Sequence, residues 1–428
     1  MTGKKKKTQL EIAQEALDTA LSERKGSAVR STATTSKLKV SRETLAPVLE
    51  TLKPQYDSFL DRINLVVDNK PQSLTRAILL EICLRLETQH NFGRTTVDGV
   101  TEVLETIAYR NQYDSAIEWG KSLKWDGTPR IVNLFGEYFG CEPNEFTAAV
   151  SLYFATAMAA RLMTENPEGI KADSMPILVG EQGIGKTTAV MALSPFPEWF
   201  VEVSFNRKED DLARMIKGKV IAEIAELSGL KRREAGELKA WVSRTKESWI
   251  PKFVEQEKSL PRRIMFIGTT NETTFLADKT GNRRWYPLQV IRASGTDDLV
   301  RDREQIWAEA ICTFKDQGIC WQEAAELAKA NDVHADYLTS DPWEEEVMDW
   351  VKGDIITSVG KTRYELGFVA PADVLKNCLS IELDKRLTVH HDRVASILRS
   401  NGFTIRAQRR VTGFKNAVRG WALNQPPP

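Results

Sequence analysis

No part of this chain constrains its fold as tightly as the stretch Gly180-Glu-Gln-Gly-Ile-Gly-Lys-Thr187. It has the form G-x-x-x-x-G-K-[ST], follows the strand-like Pro176 to Val179 and precedes the helix-like Thr188 to Leu193. The glycines let the backbone turn tightly so that successive N–H groups point inward, and the helix that follows adds its positive end. Such a loop cradles nucleotide phosphates, with Lys186 on the outer phosphates and Thr187 on Mg2+. Gly180, Glu181, Gln182, Gly183, Ile184, Gly185 and Thr188 complete the cradle. A loop of this kind belongs at the carboxyl end of a strand in a parallel α/β sheet, and ligands bind outside such strand ends.

Two further strand-like runs supply what a nucleotide site needs. Lys219-Val-Ile-Ala-Glu-Ile-Ala-Glu-Leu227 carries Glu223 and Glu226 at the end of an apolar run, the candidate acids for the metal and the attacking water, with Glu226 slightly favoured for the water. Arg263-Ile-Met-Phe-Ile-Gly-Thr-Thr-Asn271 ends in polar residues, and Asn271 is placed to bond the γ-phosphate or the water. Downstream, Asp278-Lys-Thr-Gly-Asn-Arg-Arg-Trp-Tyr-Pro287 offers Arg283 or Arg284 to a neighbouring subunit's γ-phosphate, where a guanidinium stabilises developing charge. Trp285 and Tyr286 read as core.

The rest of the chain divides by composition. Residues 1–45 start with the basic run Lys4 to Lys7 and continue Ser/Thr-rich, as a basic, disordered tail does. Residues 46–168 carry apolar positions at helical spacing, including Leu79, Ile82 and Leu86, and form a helical N-terminal region. The α/β core spans 169–291, a helical extension and linker 292–341, and a last domain 342–428. In that domain Pro371 to Cys378 and Thr388 to Ser400 are helix-like, whereas Phe403 to Arg406 and Ala417 to Leu423 are strand-like, an order that fits a winged helix.

The 59 basic and 59 acidic residues cancel, which excludes attraction of nucleic acid by net charge and leaves local patches. The last domain holds one: from Arg393 to Gly420 there are seven basic residues and no acid. Arg393, Arg399, Arg406, Arg409, Arg410 and Lys415 are the expected phosphate contacts, with Thr388 to Ser400 as recognition helix and Arg406 to Lys415 as wing. Five cysteines without paired spacing point to a reducing, cytoplasmic compartment. The longest largely apolar stretch, Val150 to Met163, falls short of the roughly 20 residues that a bilayer span needs. No His/Cys spacing for structural zinc is present.

These segments, in this order, resemble the virulence-associated protein E family of phages, prophages and mobile islands, and more broadly the superfamily 3 helicases of the AAA+ class. The resemblance rests on Gly180 to Thr187, Glu223 to Leu230, Glu237 to Arg244, Phe266 to Asn271 and Asp278 to Pro287, with Tyr113 and Trp125 to Ile131 upstream, and covers Asp61 to Ile291. It implies an AAA+ P-loop NTPase core using ATP and Mg2+, acting as a homo-oligomeric, hexameric ring that translocates on or unwinds single-stranded or forked DNA. It further implies that Glu223 and Glu226 form the Walker B acids, Asn271 is sensor 1, and Arg283 or Arg284 is the trans-acting finger. Thr245 to Arg262 would be a channel hairpin, with Lys246, Lys252 and Lys258 against DNA; its Glu247 to Phe253 departs from the family's Asp-x-x-Arg-Pro-Pro-Tyr-like stretch, placing Ile250 where the arginine is expected. The segment before Asp61 is too short to fold a primase domain. Two other readings fit the inventory: an AAA+ loader or remodelling switch recruited to DNA, and a nucleotide-stabilised DNA-binding scaffold with negligible turnover.

Overall fold

The computed structural model describes residues 36–67, 70–204, 209–225, 227, 232–250, 257–272, 275, 284–330, 333–334, 337, 341–356, 360–381, 388–411 and 416–423. The chain separates into two compact units, one built of Met1–Gly229, Arg233–Thr273 and Arg283–Val333, the other of Leu230–Arg232, Thr274–Asn282 and His334–Pro428.

Helix α1 (Arg42–Leu49) begins inside the stretch expected to be tail, because Ser41 and Thr44 form a reciprocal capping box. Strands β1 (Gln55–Asp57), β2 (Arg62–Val67) and β3 (Lys70–Ser73) precede helices α2 (Arg76–Thr88) and α3 (Val97–Arg110), and β4 (Gln112–Tyr113) follows. The four strands form one sheet in the order β3-β2-β1-β4, where the periodicity predicts helices alone. These strands are two to six residues long, too short for an alternation to show beside the 3.6-residue pattern of α2 and α3. Buried Asp57 closes the sheet onto helix α4 (Ser115–Ser122): its Oδ1 accepts the N–H groups of Phe59, Leu60 and Ser115 at 3.2, 3.3 and 3.3 Å.

Helix α5 (Glu145–Leu162) starts at Asn144, whose side chain accepts the Thr147 N–H, and it is buried on nearly every face. A helix apolar all round belongs inside a core. Beside it lies a five-stranded sheet of β5 (Met175–Val179), β6 (Phe200–Val203), β7 (Ile221–Ile224), β10 (Met265–Thr270) and β11 (Trp285–Gln289), in the order β11-β5-β10-β7-β6 with every pair parallel. Strands β5, β7 and β10 are buried at every position, as both faces of a parallel sheet are covered. Helices α6 (Lys186–Leu193), α7 (Glu209–Ile216) and α8 (Arg232–Val242) connect them, and β8 (Lys246–Trp249) and β9 (Lys258–Pro261) form an antiparallel hairpin ahead of β10. Helices α9 (Thr296–Gln317) and α10 (Gln322–Ala330) complete the unit, with Trp307 of α9 buried and its Nε1 donating to the Leu193 carbonyl at 3.0 Å. Among the described residues no helix is long and apolar enough to cross a membrane.

The second unit holds α11 (Glu344–Gly353), a two-stranded sheet of β12 (Ile355–Ile356) and β13 (Lys361–Thr362), β14 (Phe368–Val369), a short helix Pro371–Asp373 that widens over Val374–Cys378, α12 (Thr388–Ser400), and β15 (Phe403–Arg409) with β16 (Val418–Leu423). Strands β14, β16 and β15 pair antiparallel in that order, over a core that includes Val351, Val374, Leu398 and Phe403.

One side chain gathers the amino edge of the parallel sheet. Arg161, at the end of α5 and 1% exposed, has no carboxylate partner among the described residues; its Nη1 donates to the Ile264 carbonyl at 2.5 Å and its Nη2 to those of Ala172 and Arg244 at 2.9 and 3.5 Å. It thereby ties the entries to β10, β5 and β8 to one helix. Replacing it with Met leaves those carbonyls unpaired in the interior, so Arg161→Met is expected to lower the unfolding free energy by about 3 kcal/mol in urea titrations followed by tryptophan fluorescence. A loss below about 1 kcal/mol would show that the carbonyls find other partners.

Candidate functional site

The loop between β5 and α6 is fully described and takes the shape that its glycines permit. Gly183 and Gly185 have φ of +82° and +95°, a region closed to most side chains. A methyl group added at Gly183 meets nothing within 4 Å, whereas one at Gly185 would lie 2.6 Å from the Ser294 hydroxyl. The loop therefore has a packed back and an open front. Its back is held by the segment after β11: Ser294 donates its hydroxyl to the Gly185 carbonyl at 3.2 Å and its N–H to the Ile184 carbonyl at 3.4 Å. Lys186 folds over the loop, its Nζ donating to the Gly180 and Glu181 carbonyls at 2.7 and 2.8 Å. Burial pushes its pKa down, and the nearby Glu223 charge opposes that.

Glu223 lies in β7, one strand beyond β10, and is fully buried. Two hydroxyls meet on the same carboxylate oxygen: Thr187 of α6 donates to Oε1 at 2.8 Å and Thr269 of β10 at 2.6 Å. The other oxygen, Oε2, is buried and has no hydrogen-bond partner among the described residues. Burial raises the carboxyl pKa, the Thr269 and Thr187 hydroxyls lower it, exposed Glu202 raises it further and Lys186 opposes. Glu202 is the register partner of Glu223 on β6, so the two share a sheet face. Neither Thr269 nor Glu202 stands out in the sequence. The available signal is spacing: Thr269 is two residues before Asn271, and Glu202 emerges only once β6 is paired with β7.

Asn271 directly follows β10 and is exposed at the loop end of the sheet, where the register sets Thr270 beside Val179. Glu226 and Arg283 lie outside the described residues. Arg284 is at the opposite edge. It immediately precedes Trp285, which pairs with Met175 at the start of β5, so the five residues of β5 separate it from its own loop, about 16 Å along the strand. Its Nε is 3.9 Å from Asp173 and has no hydrogen-bond partner among the described residues.

The hairpin expected at Thr245 to Arg262 forms, as β8 and β9, but its described lysines are engaged. Lys246 pairs with Glu168, and Lys258 meets Asp61 at 3.0 Å. Asp61 also takes Lys217 at 2.8 Å and the Tyr56 hydroxyl at 2.5 Å, and its side chain is only 11% exposed. The hairpin's interior is held by the buried Arg262–Glu247 ion pair. Lys252 lies outside the described residues.

In the second unit the basic residues separate into two kinds. Arg393, expected at DNA, is committed within the unit: it donates to both oxygens of Asp341 at 2.8 Å and stacks 3.9 Å from the Trp343 ring. Arg399 and Arg406 lie 5.1 and 5.3 Å from the Trp421 ring, Arg409 5.3 Å from Phe368, and Arg410 is exposed. Arg406 and Arg419 border an open groove of about 700 Å³ between α12 and the β15–β16 strands, with His391 and Asp392 on its helix side. Lys415 lies outside the described residues.

The residues of the first unit fit an Mg2+-bound nucleoside triphosphate on two observations: an unpartnered carboxylate oxygen buried beside Thr187, and a glycine-built loop with an open front. Thr187 and Glu223 could hold the metal and the loop amides the phosphates. The two loop glycines therefore separate structure from ligand. Gly183→Ala is expected to cost about 1–2 kcal/mol for its left-handed backbone alone. Gly185→Ala adds the clash with Ser294. In melting curves Gly185→Ala should be the less stable variant, and MgATP, expected to raise the melting point of the unaltered chain, should raise that of neither variant. Equal melting points would contradict the packed-back, open-front reading.

A family model, the virulence-associated protein E-like domain, matches residues 121–338. No curated protein matches the chain. Among solved structures, the apo form of the NrS-1 C-terminal region is similar at 14% identity, covering 89% of this chain and 98% of that one with a TM-score of 0.48. A second apo form of that region gives 13%, 90%, 100% and 0.46. The complex between subunits BchI and BchD of magnesium chelatase gives 15% identity over 58% of this chain and 95% of that one, with a TM-score of 0.26. The family match spans just over half of the chain, and the protein therefore belongs to the virulence-associated protein E-like family.

Proposed function

We propose that the protein is a cytoplasmic, Mg2+-dependent ATPase that drives translocation on, or unwinding of, DNA during replication of a phage or mobile element, as a ring, most simply a hexamer, with ATP sites shared between subunits. The observation that carries this reading is the buried Glu223 carboxylate, held by Thr187 of the loop helix and Thr269 of the neighbouring strand with one oxygen left unpartnered. Bound there, Mg2+ would draw charge from the outer phosphates as the γ-phosphoryl group departs. Lys186 leaves its loop carbonyls to meet the phosphates, Glu226 orients the attacking water and Asn271 contacts the water or the γ-phosphate.

The strand order β11-β5-β10-β7-β6, with one strand inserted between the loop strand and the acid strand, supports an AAA+ core. Arg284 supports the shared site, since from the far edge of its own sheet it can serve only a triphosphate on another copy. For the second unit, the sheet order β14-β16-β15 with α12 preceding the β15–β16 hairpin supports a winged helix, and Arg399, Arg406, Arg409, Arg410 and Lys415 are its proposed phosphate contacts. One observation favours the second reading, a loader or remodelling switch recruited to DNA: Lys246 and Lys258, the described lysines of the hairpin, already hold acidic partners.

Lys186→Ala is expected to lower ATP hydrolysis at least about 100-fold while leaving DNA affinity within a few-fold. Retained hydrolysis would overturn the proposed site. Mixing Arg284→Ala subunits with Glu226→Gln subunits should recover activity that neither has alone; no recovery speaks against shared sites. Loss of DNA stimulation and of forked-strand displacement when Lys246, Lys252 and Lys258 are all replaced by Ala supports the threading motor. Unchanged stimulation without displacement supports the switch.

A further inference from the structure

We infer that Thr269 is a positioning residue for the metal site: its hydroxyl fixes the Glu223 carboxylate so that one oxygen is left for the Mg2+ ion or a water bound to it. The inference rests on the nucleotide-site reading above and adds a residue that the motif logic does not select.

The argument is geometric. Thr269 is 5% exposed in a strand buried along its whole length, a place where Val fills the same volume and favours the same backbone. What Val lacks is the hydroxyl, and that hydroxyl donates to Glu223 Oε1 at 2.6 Å. Thr187 donates to the same oxygen at 2.8 Å, from the first turn of the loop helix. Two donors from different elements on one oxygen set both the torsion of the Glu223 side chain and the plane of its carboxylate. The consequence is visible at the second oxygen: Oε2 is buried without a partner among the described residues, as Asp57 Oδ2 is in the N-terminal sheet, but it lies on the carboxylate that the loop helix touches through Thr187. A cation or its water is the chemistry that answers a buried, oriented, anionic acceptor beside a phosphate loop. With Mg2+ bound, the Thr187 oxygen would also serve the ion, while the Thr269 hydroxyl would hold Oε1 from the strand side. Thr269 is also in register with Leu178 near the end of the loop strand, two residues before Asn271, so the strand that leads to the proposed γ-phosphate contact also carries the donor to Glu223.

The test measures ATPγS binding to the full chain by calorimetry, in Mg2+ and in EDTA, so that the readout is metal-dependent affinity and not turnover. In the unaltered chain Mg2+ tightens binding. In Thr269→Val, which keeps the shape, that gain is expected to fall about tenfold, the loss of one charge-assisted hydrogen bond, with affinity in EDTA unchanged within about twofold. Thr269→Ala should behave like Thr269→Val and covers the case in which Val packs badly, and Thr269→Ser should restore the gain. An undiminished gain in Val and Ala overturns the inference, as does an equal loss in EDTA, which marks a merely structural role, or a failure of Ser to restore. If the unaltered chain shows no Mg2+-dependent binding, the nucleotide-site reading itself fails, an outcome distinct from normal binding by Thr269→Val.

Discussion

A buried guanidinium with only carbonyls for partners holds the first unit together. Arg161 sits where three segments begin, before β5, β8 and β10, and gives a carbonyl of each a side-chain donor. Parallel strands that start from a common tie end at a common edge. At that far edge the loop after β5, the threonines of β10 and Glu223 of β7 come within hydrogen-bond distance of one another. The site is thus a consequence of register: a one-residue slip of β10 against β7 would turn Thr269 to the other face and leave Glu223 with Thr187 alone.

Polar burial in this unit is of two kinds. Asp61, Arg161 and the Arg262–Glu247 pair are satisfied by several partners each, and they join segments distant in sequence: Asp61 alone connects the β1–β2 turn to Lys217 beyond α7 and Lys258 of the hairpin. Such groups specify a unique arrangement because losing one partner strands the others in a low-dielectric interior. Glu223 belongs to the second kind, with one oxygen doubly bonded and one bare. Asp57 shares that asymmetry, with three N–H groups on Oδ1 and a buried Oδ2 that has no partner among the described residues; Glu223 differs in lying beside the phosphate loop, where the Thr187 hydroxyl meets it.

In the second unit, tryptophans divide the arginines. Trp343 and Asp341 take Arg393 out of play, whereas Trp421, which lines the groove, is within 5.3 Å of both the Arg399 and the Arg406 guanidinium. A guanidinium over an indole ring is oriented without being neutralised, so those two keep their charge at the surface.

The local sequence by itself determined the phosphate loop, because glycine at positions of positive φ and a strand-to-helix switch are properties of neighbouring residues; it likewise determined the buried strands β5, β7 and β10, the helix α12 and the β15–β16 hairpin. The four-stranded N-terminal sheet escaped it, since strands of a few residues carry no period and are stabilised by partners far along the chain. Charge counts were a poor guide for the same reason. Arg393, Lys246 and Lys258 are basic residues like any other until the fold sets Asp341, Glu168 and Asp61 against them. Only the tertiary structure decided that Thr269 touches Glu223 and that Arg284 stands at the far end of its own sheet, because strand order and register are agreements between segments and no segment contains them.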